Sequence, residues 1–195
     1  MGRDDQKDQL SVVLAEHRPE WADEFARVAA ALRDALGSLA LRIDHIGSTS
    51  VPGLAAKDVV DLQVVVGRLS PKEPLVAAFS AAGYELRFEG EDHVPAGWVG
   101  PSAAWAKLLF MPREGRRVHA HVRAAGSPNE RYALLFRDYL RAHDDARDRW
   151  ALVKAELAAT TATRDEYAVR KDPLTDELLI PDAEAWASAS GWNPA

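Results

Sequence analysis

An α+β fold is what this 195-residue chain predicts, on three observations. Strand and helix periods are mixed between Pro19 and Arg123, every pattern beyond Gly126 is helical, and the longest strand run, Val59 to Val66, is rich in β-branched residues. With 47% hydrophobic residues and no cysteine, the chain must stand on packing alone, without disulfides, a thiolate metal site or a cysteine nucleophile. Residues 11–195 are expected to form one domain, since a domain takes about 100–200 residues. Residues 1–10, polar and mixed in charge, are expected to be a flexible tail.

Taken in order, Ser11-Val12-Val13-Leu14 is a short apolar run that reads as an edge strand. Pro19 suits a first helical turn, and Trp21, Phe25, Val28, Leu32 and Leu36 recur at steps of three and four until Gly37 stops the helix. Leu41 to Ile46 alternates apolar Leu41 and Ile43 with polar Arg42 and Asp44, as a half-buried strand does. Val59 to Val66 has period two, which sets Asp61 and Gln63 on one face. Pro71 to Ala82 is helical and ends at Gly83. A strand then spans Tyr84 to Phe88, and Glu89 to Ala103, aperiodic and rich in glycine and proline, is expected to be an irregular functional loop anchored by Trp98. Trp105 to Met111 and Val118 to Arg123 form a hairpin in which His119, His121 and Arg123 share a face. After Gly126-Ser127-Pro128-Asn129 come helical stripes through Ala133, Phe136 and Leu140 and through Trp150, Val153 and Leu157, then a segment opened by a Thr163/Glu166 capping box.

Charge narrows the function. Lysine and arginine total 24 against 30 acidic residues, for a net charge of -6 and a pI near 5.5, which argues against broad nucleic-acid binding. The amino terminus lacks a signal-peptide stretch, and no run approaches the roughly 20 apolar residues of a membrane span, so a cytoplasmic protein without a membrane partner is expected.

The stretch that carries chemistry is His45-Ile46-Gly47-Ser48-Thr49-Ser50-Val51-Pro52-Gly53-Leu54 with Lys57 and Asp61 behind it. A Gly-Ser pair after a strand, followed by an aspartate on the next strand, is the ground plan of nucleotidyltransferase-type sites, where amides and a hydroxyl hold phosphate and carboxylates hold metal. Gly47, Ser48, Thr49, Ser50 and Lys107 are the candidate phosphate ligands, and Asp61, Gln63 and Lys57 the candidate catalytic set. Asp61, His119 and His121 are the candidate metal ligands. Gln63 stands where a second carboxylate is wanted, and imidazoles favour Zn²⁺, Mn²⁺ or Ni²⁺ over Mg²⁺. Simpler uses exist for the same residues: Gly47, Pro52 and Gly53 suit a tight turn, and Asp61 suits capping of the Ser48–Ser50 amides. No Gly-x-Ser-x-Gly elbow and no Gly-Lys-Ser/Thr loop ending occur.

Those motifs, together with His119-Ala120-His121-Val122 and Phe136-Arg137-Asp138-Tyr139-Leu140-Arg141, resemble the GrpB family over nearly the whole chain. The version with Gln63 and Gly126-Ser127-Pro128-Asn129 most resembles the GrpB-like domain fused to actinobacterial dephospho-CoA kinase. The resemblance implies a nucleotidyltransferase-like fold of the polymerase-β superfamily, with a mixed sheet flanked by helices and a helical C-terminal part. It puts the superfamily's Gly-Ser on Gly47 and Ser48, its first carboxylate on Asp61 and its second on Gln63, with His119 or His121 in place of the third. It implies a nucleotide or other phosphate-bearing ligand, a divalent metal (Mg²⁺ or Mn²⁺, or Zn²⁺ or Ni²⁺ on histidine), and nucleotidyl transfer or a folding-assistance role beside dephospho-CoA kinase. Glu89, Glu91 or Asp92 in the long loop is left to complete the carboxylate set.

Overall fold

A computed structural model describes residues 12–194, so the tail expected over residues 1–10 lies outside the described residues, as does Ser11. Helix α1 (Glu20–Leu36) follows the predicted stripe, burying Trp21, Leu32 and Leu36, and turns at Gly37 with φ 51°. Strands β1 (Arg42–Ile46) and β2 (Val60–Val66) flank the glycine-serine loop. Helix α2 (Glu73–Ala81) leads through Gly83 into β3 (Tyr84–Glu91), which β4 (Ala106–Pro112) and β5 (Val118–Ala124) follow. Four helices complete the chain: α3 (Pro128–Ala142), α4 (Asp144–Thr160), α5 (Arg164–Leu178) and α6 (Ile180–Ser190). The capping box at α5 is present, with Thr163 Oγ1 accepting from Glu166 N at 3.1 Å and the Glu166 carboxylate accepting from Ala162 N at 2.8 Å.

The five strands form one mixed sheet in the order β1-β2-β5-β4-β3, in which β2 and β5 are parallel and every other pair is antiparallel. Even positions of β2 (Val60, Leu62, Val64, Val66) face α1 and α2 and build one core with Phe79, Phe110 and Val122. The odd positions face the helical C-terminal part. There a second core joins Trp150, Leu135, Leu140 and Ala183, and it takes in Val51 and Leu54 from the loop. The loop is thus fixed by packing from the helical side.

Two local expectations are corrected. Val12 to Leu14 forms no strand; the chain makes only an isolated bridge between Ala15 and Ala56, and Val12 instead packs beside Leu157 and Tyr167. The irregular segment expected from Glu89 starts later, because β3 runs to Glu91 after a register shift between Leu86 and Phe88. Such a shift breaks the period of two that marks a strand. Within the remaining loop, Trp98 meets Trp105 edge-on with ring centroids 5.5 Å apart.

Candidate functional site

The loop after β1 is built on a close approach that only glycine allows. Gly47 has φ 68° and ψ −172°, and a Cβ placed there would lie 2.8 Å from Asp61 Oδ2. The Ser48–Ser50 backbone then makes one tight 3₁₀ turn, closed by Ser50 N to Gly47 O and Val51 N to Ser48 O, each 3.2 Å. The hydroxyls divide. Ser50 Oγ donates to Gly47 O at 2.6 Å, and Thr49 Oγ1 pairs with His45 Nε2 at 3.0 Å, so both are engaged inside the loop and buried. Ser48 is the hydroxyl residue of this turn that lines the adjoining cavity.

Helices α3 and α4 hold the loop's carbonyls with cations. Arg137 Nη1 donates to His45 O at 3.0 Å, Arg141 donates twice to Ser50 O at 2.7 and 2.9 Å, and Lys154 Nζ donates to Ala55 O and stands 3.1 Å from Ser48 Oγ. Charge-assisted bonds of this kind are roughly twice as strong as neutral ones. The shape of the turn therefore depends on helices far away in sequence.

The parallel pairing of β2 with β5 sets Asp61 beside His119 and Gln63 beside His121. His119 Nδ1 lies 3.0 Å from Asp61 Oδ1, while His121 Nε2 is 3.9 Å from it, beyond hydrogen-bond length. One ligand atom from each of the three residues falls within 4.8 Å of the others. Burial alone would raise the Asp61 pKa, but the hydrogen bond to His119 and attraction to both imidazoles outweigh it and hold the carboxyl well below the usual range. Burial pushes His121 down to about 4, aided by Arg123 and Lys107 and opposed by Asp61. His121 is thus a neutral imidazole at pH 7, and its buried Nδ1 has no partner among the described residues. An ionised carboxylate and a neutral, uncommitted imidazole fit a divalent ion, and two imidazoles to one carboxylate fit Mn²⁺ or Zn²⁺ better than Mg²⁺.

The other expected carboxylate positions are engaged elsewhere. Gln63 is wholly buried, donating to Asp44 Oδ2 at 2.9 Å and accepting from Arg123 Nη1 at 3.0 Å, and it does not line the cavity. Asp92 does line the cavity, but it is paired with Arg123 at 2.9 Å and with Lys107, and Asn129 donates to it at 3.0 Å. Lys107 is thereby tied to Asp92 and lies over the Phe88 ring. Glu89 pairs with Lys72, and Glu91 accepts from Ser102 at 3.0 Å.

These side chains surround a cavity of about 400 Å³ between the odd face of β2 and β5 and helices α3, α4 and α5. Gly47, Ser48, Lys57, Asp61, Lys107, His119 and His121 meet there, as the sequence suggested, whereas Thr49, Ser50 and Gln63 do not line it. Lys154 and Lys171 line it as well, and sequence reasoning missed both. The signal for Lys154 was present: it falls inside the apolar stripe of Trp150, Val153 and Leu157, where a lysine has no ordinary reason to be.

The fold and site define a class: an α+β protein whose glycine-serine turn is clamped over a carboxylate–imidazole cluster. The chain belongs to the GrpB family, whose model, described as GrpB protein, matches residues 11–180. A solved GrpB protein from Enterococcus faecalis is 29% identical, covering 93% of this chain and 100% of that chain at a TM-score of 0.68. A dephospho-CoA kinase of Mycolicibacterium paratuberculosis is 36% identical over 197 residues, 90% of this chain and 47% of the kinase. The chain thus spans about half the length of the curated kinase relatives it matches. Cid1 in complex with the UTP analog UMPNPP aligns at a TM-score of 0.47 with 15% identity, covering 71% of this chain and 41% of that chain, too remote to bear on individual residues.

Proposed function

We propose that this GrpB-family protein binds a nucleotide or related phosphate-bearing small molecule, with its phosphates on the Gly47-Ser48 turn and a divalent metal at Asp61, His119 and His121. The observation that carries this reading is the Asp61 carboxylate filling the space a Gly47 side chain would take, 2.8 Å from its Cβ position, which makes the turn and the carboxylate–imidazole cluster one locus. Within it, Ser48 and the turn's amides orient phosphate oxygens, Asp61 stays ionised to hold the ion, and His119 fixes the Asp61 carboxylate through Nδ1. The metal, when bound, would neutralise and polarise phosphate oxygens. Calorimetry with ATP and CTP, with and without Mn²⁺, tests the reading: the Mn²⁺-dependent affinity should fall at least tenfold in Asp61→Asn. Equal binding by that variant overturns it.

Holding such a ligand is better supported than two-metal nucleotidyl transfer. Transfer wants further carboxylates to hold metals about 3.5–4 Å apart. Gln63 is neutral and bound to Asp44 and Arg123, and Asp92 is neutralised by Arg123 and Lys107. A second reading, an accessory module beside a dephospho-CoA kinase, is favoured by the kinase-named relatives of which this region makes up 47%. It predicts that adding the protein in trans raises the refolding yield of such a kinase, and an unchanged yield removes it.

A further inference from the structure

Lys154 is only 2% exposed, yet among the described residues it has no carboxylate partner. Its ammonium meets two neutral oxygens, Ser48 Oγ and Ala55 O. Lys57 also has no ion pair among the described residues; its Nζ lies over the Tyr167 ring, 5.4 Å from the centroid. Lys171 is paired with Asp172 at 2.9 Å. All three lysines line the cavity with Ser48, Lys57 and Lys171 both repel the Lys154 charge, and an ion taken from water without a counter-charge costs several kcal/mol. Lys57, and Lys154 whenever it is protonated, thus lack a paired carboxylate among the described residues, a deficit of up to two charges that a multiply charged anion fills better than a singly charged one.

We propose that Lys57, Lys154 and Lys171 form a subsite for the terminal phosphates of a polyphosphate chain, filled without help from the metal cluster, and that the arriving phosphate brings a proton to Lys154. This rests on the phosphate reading of the cavity and adds the class of ligand, a di- or triphosphate rather than a monophosphate. Lys154 meets Ser48 from the turn, is repelled by Lys57 from the segment before β2 and by Lys171 from α5, and shares the cavity with Tyr167 and Asp172 of α5 and Asp61 of β2. Burial, with Lys171 and Lys57 adding repulsion, pushes the Lys154 pKa down to about 7, so the free protein holds it partly neutral at physiological pH. An anion in contact reverses the repulsion, and the amine becomes fully charged. No bond of the phosphate chain is broken; the Lys154 amine takes one proton from solvent, forming an N–H bond, as the anion arrives.

Calorimetry in EDTA with inorganic tripolyphosphate and with orthophosphate tests the subsite. Tripolyphosphate should bind at least tenfold more tightly than orthophosphate, and Lys154→Met should lose at least tenfold of that affinity. Because it removes a buried unpaired charge, the same variant should melt at a higher temperature, which a lysine with a purely structural role would not do. In wild-type protein labelled with ¹³C at lysine Cε, one resonance should titrate near pH 7 when free and at a clearly higher pH with tripolyphosphate bound. Equal affinity for the two anions, tripolyphosphate binding that vanishes in EDTA, or a lysine titration that the anion does not move each overturns the proposal. If metal-free tripolyphosphate binds as stated while Mn²⁺-dependent nucleotide binding fails, the metal reading falls and the lysine subsite stands.

Discussion

Gly47 concentrates two constraints in one residue. Its φ of 68° with ψ of −172° is a region essentially reserved for glycine that costs an L-residue about 1–3 kcal/mol, and its missing side chain leaves room for Asp61 Oδ2, which a Cβ would approach to 2.8 Å. The two are separable. Gly47→Ala should destabilise the protein by about 2–4 kcal/mol, the sum of backbone strain and a displaced carboxylate. In an Asp61→Ala background the clash is gone and only the strain of about 1–3 kcal/mol should remain. Urea unfolding of the four proteins of this double-mutant cycle gives the coupling, and additive effects would mean that the close approach carries no energy. The glycine was legible as a turn former in the sequence; its contact with a carboxylate fourteen positions later was not, because that depends on how β1 and β2 pair.

Elements decide what the local pattern leaves open. Periods of two and of 3.6 place Asp61 with Gln63 and His119 with His121 on shared faces, and those faces are as observed. That β2 lies parallel to β5, bringing Asp61 opposite His119, is a pairing between segments nearly sixty residues apart, and no local period encodes it. The roles of Arg137 and Arg141 were hidden for the same reason: their spacing fits helix or packing stabilisation, whereas α3 turns both guanidiniums onto loop carbonyls. Arg141 holds Ser50 O with two donors, so Arg141→Met should loosen the turn while sparing the helix. The expected result is a stability loss of about 1 kcal/mol, since the side chain is partly solvated, with a five- to tenfold weaker affinity for tripolyphosphate. Calorimetry and thermal melting measure the two, and wild-type affinity in the variant would show that the turn keeps its shape without the clamp.

Across the whole molecule, the groups that must stay neutral or ionised for the site to exist also make folding sensitive to acid. His45, 8% exposed and stacked on Phe25 with centroids 4.6 Å apart, is pushed down to about 4 by burial and by Arg141, with Arg137 adding to the effect and Asp61 opposing it. His121 is likewise held down to about 4. In the unfolded chain a histidine takes up its proton near pH 6.5, whereas in the folded protein these two refuse it until about pH 4. Between those values the unfolded state binds more protons, so stability falls as pH falls, by about 1.4 kcal/mol per unit and per histidine, or about 3 kcal/mol for His45 alone. Below about pH 4 a further loss sets in, because Asp61 and Asp92 are held below the usual carboxylate range only in the folded state. Unfolding free energies from urea titrations at pH 7, 5.5 and 4.5 should therefore decline steadily. In His45→Gln the decline should be shallower by about 2 kcal/mol over that interval, even though the variant starts lower for want of the ring stack on Phe25. A wild-type profile that is flat from pH 6.5 to 4.5 would mean that neither imidazole is held neutral by the fold.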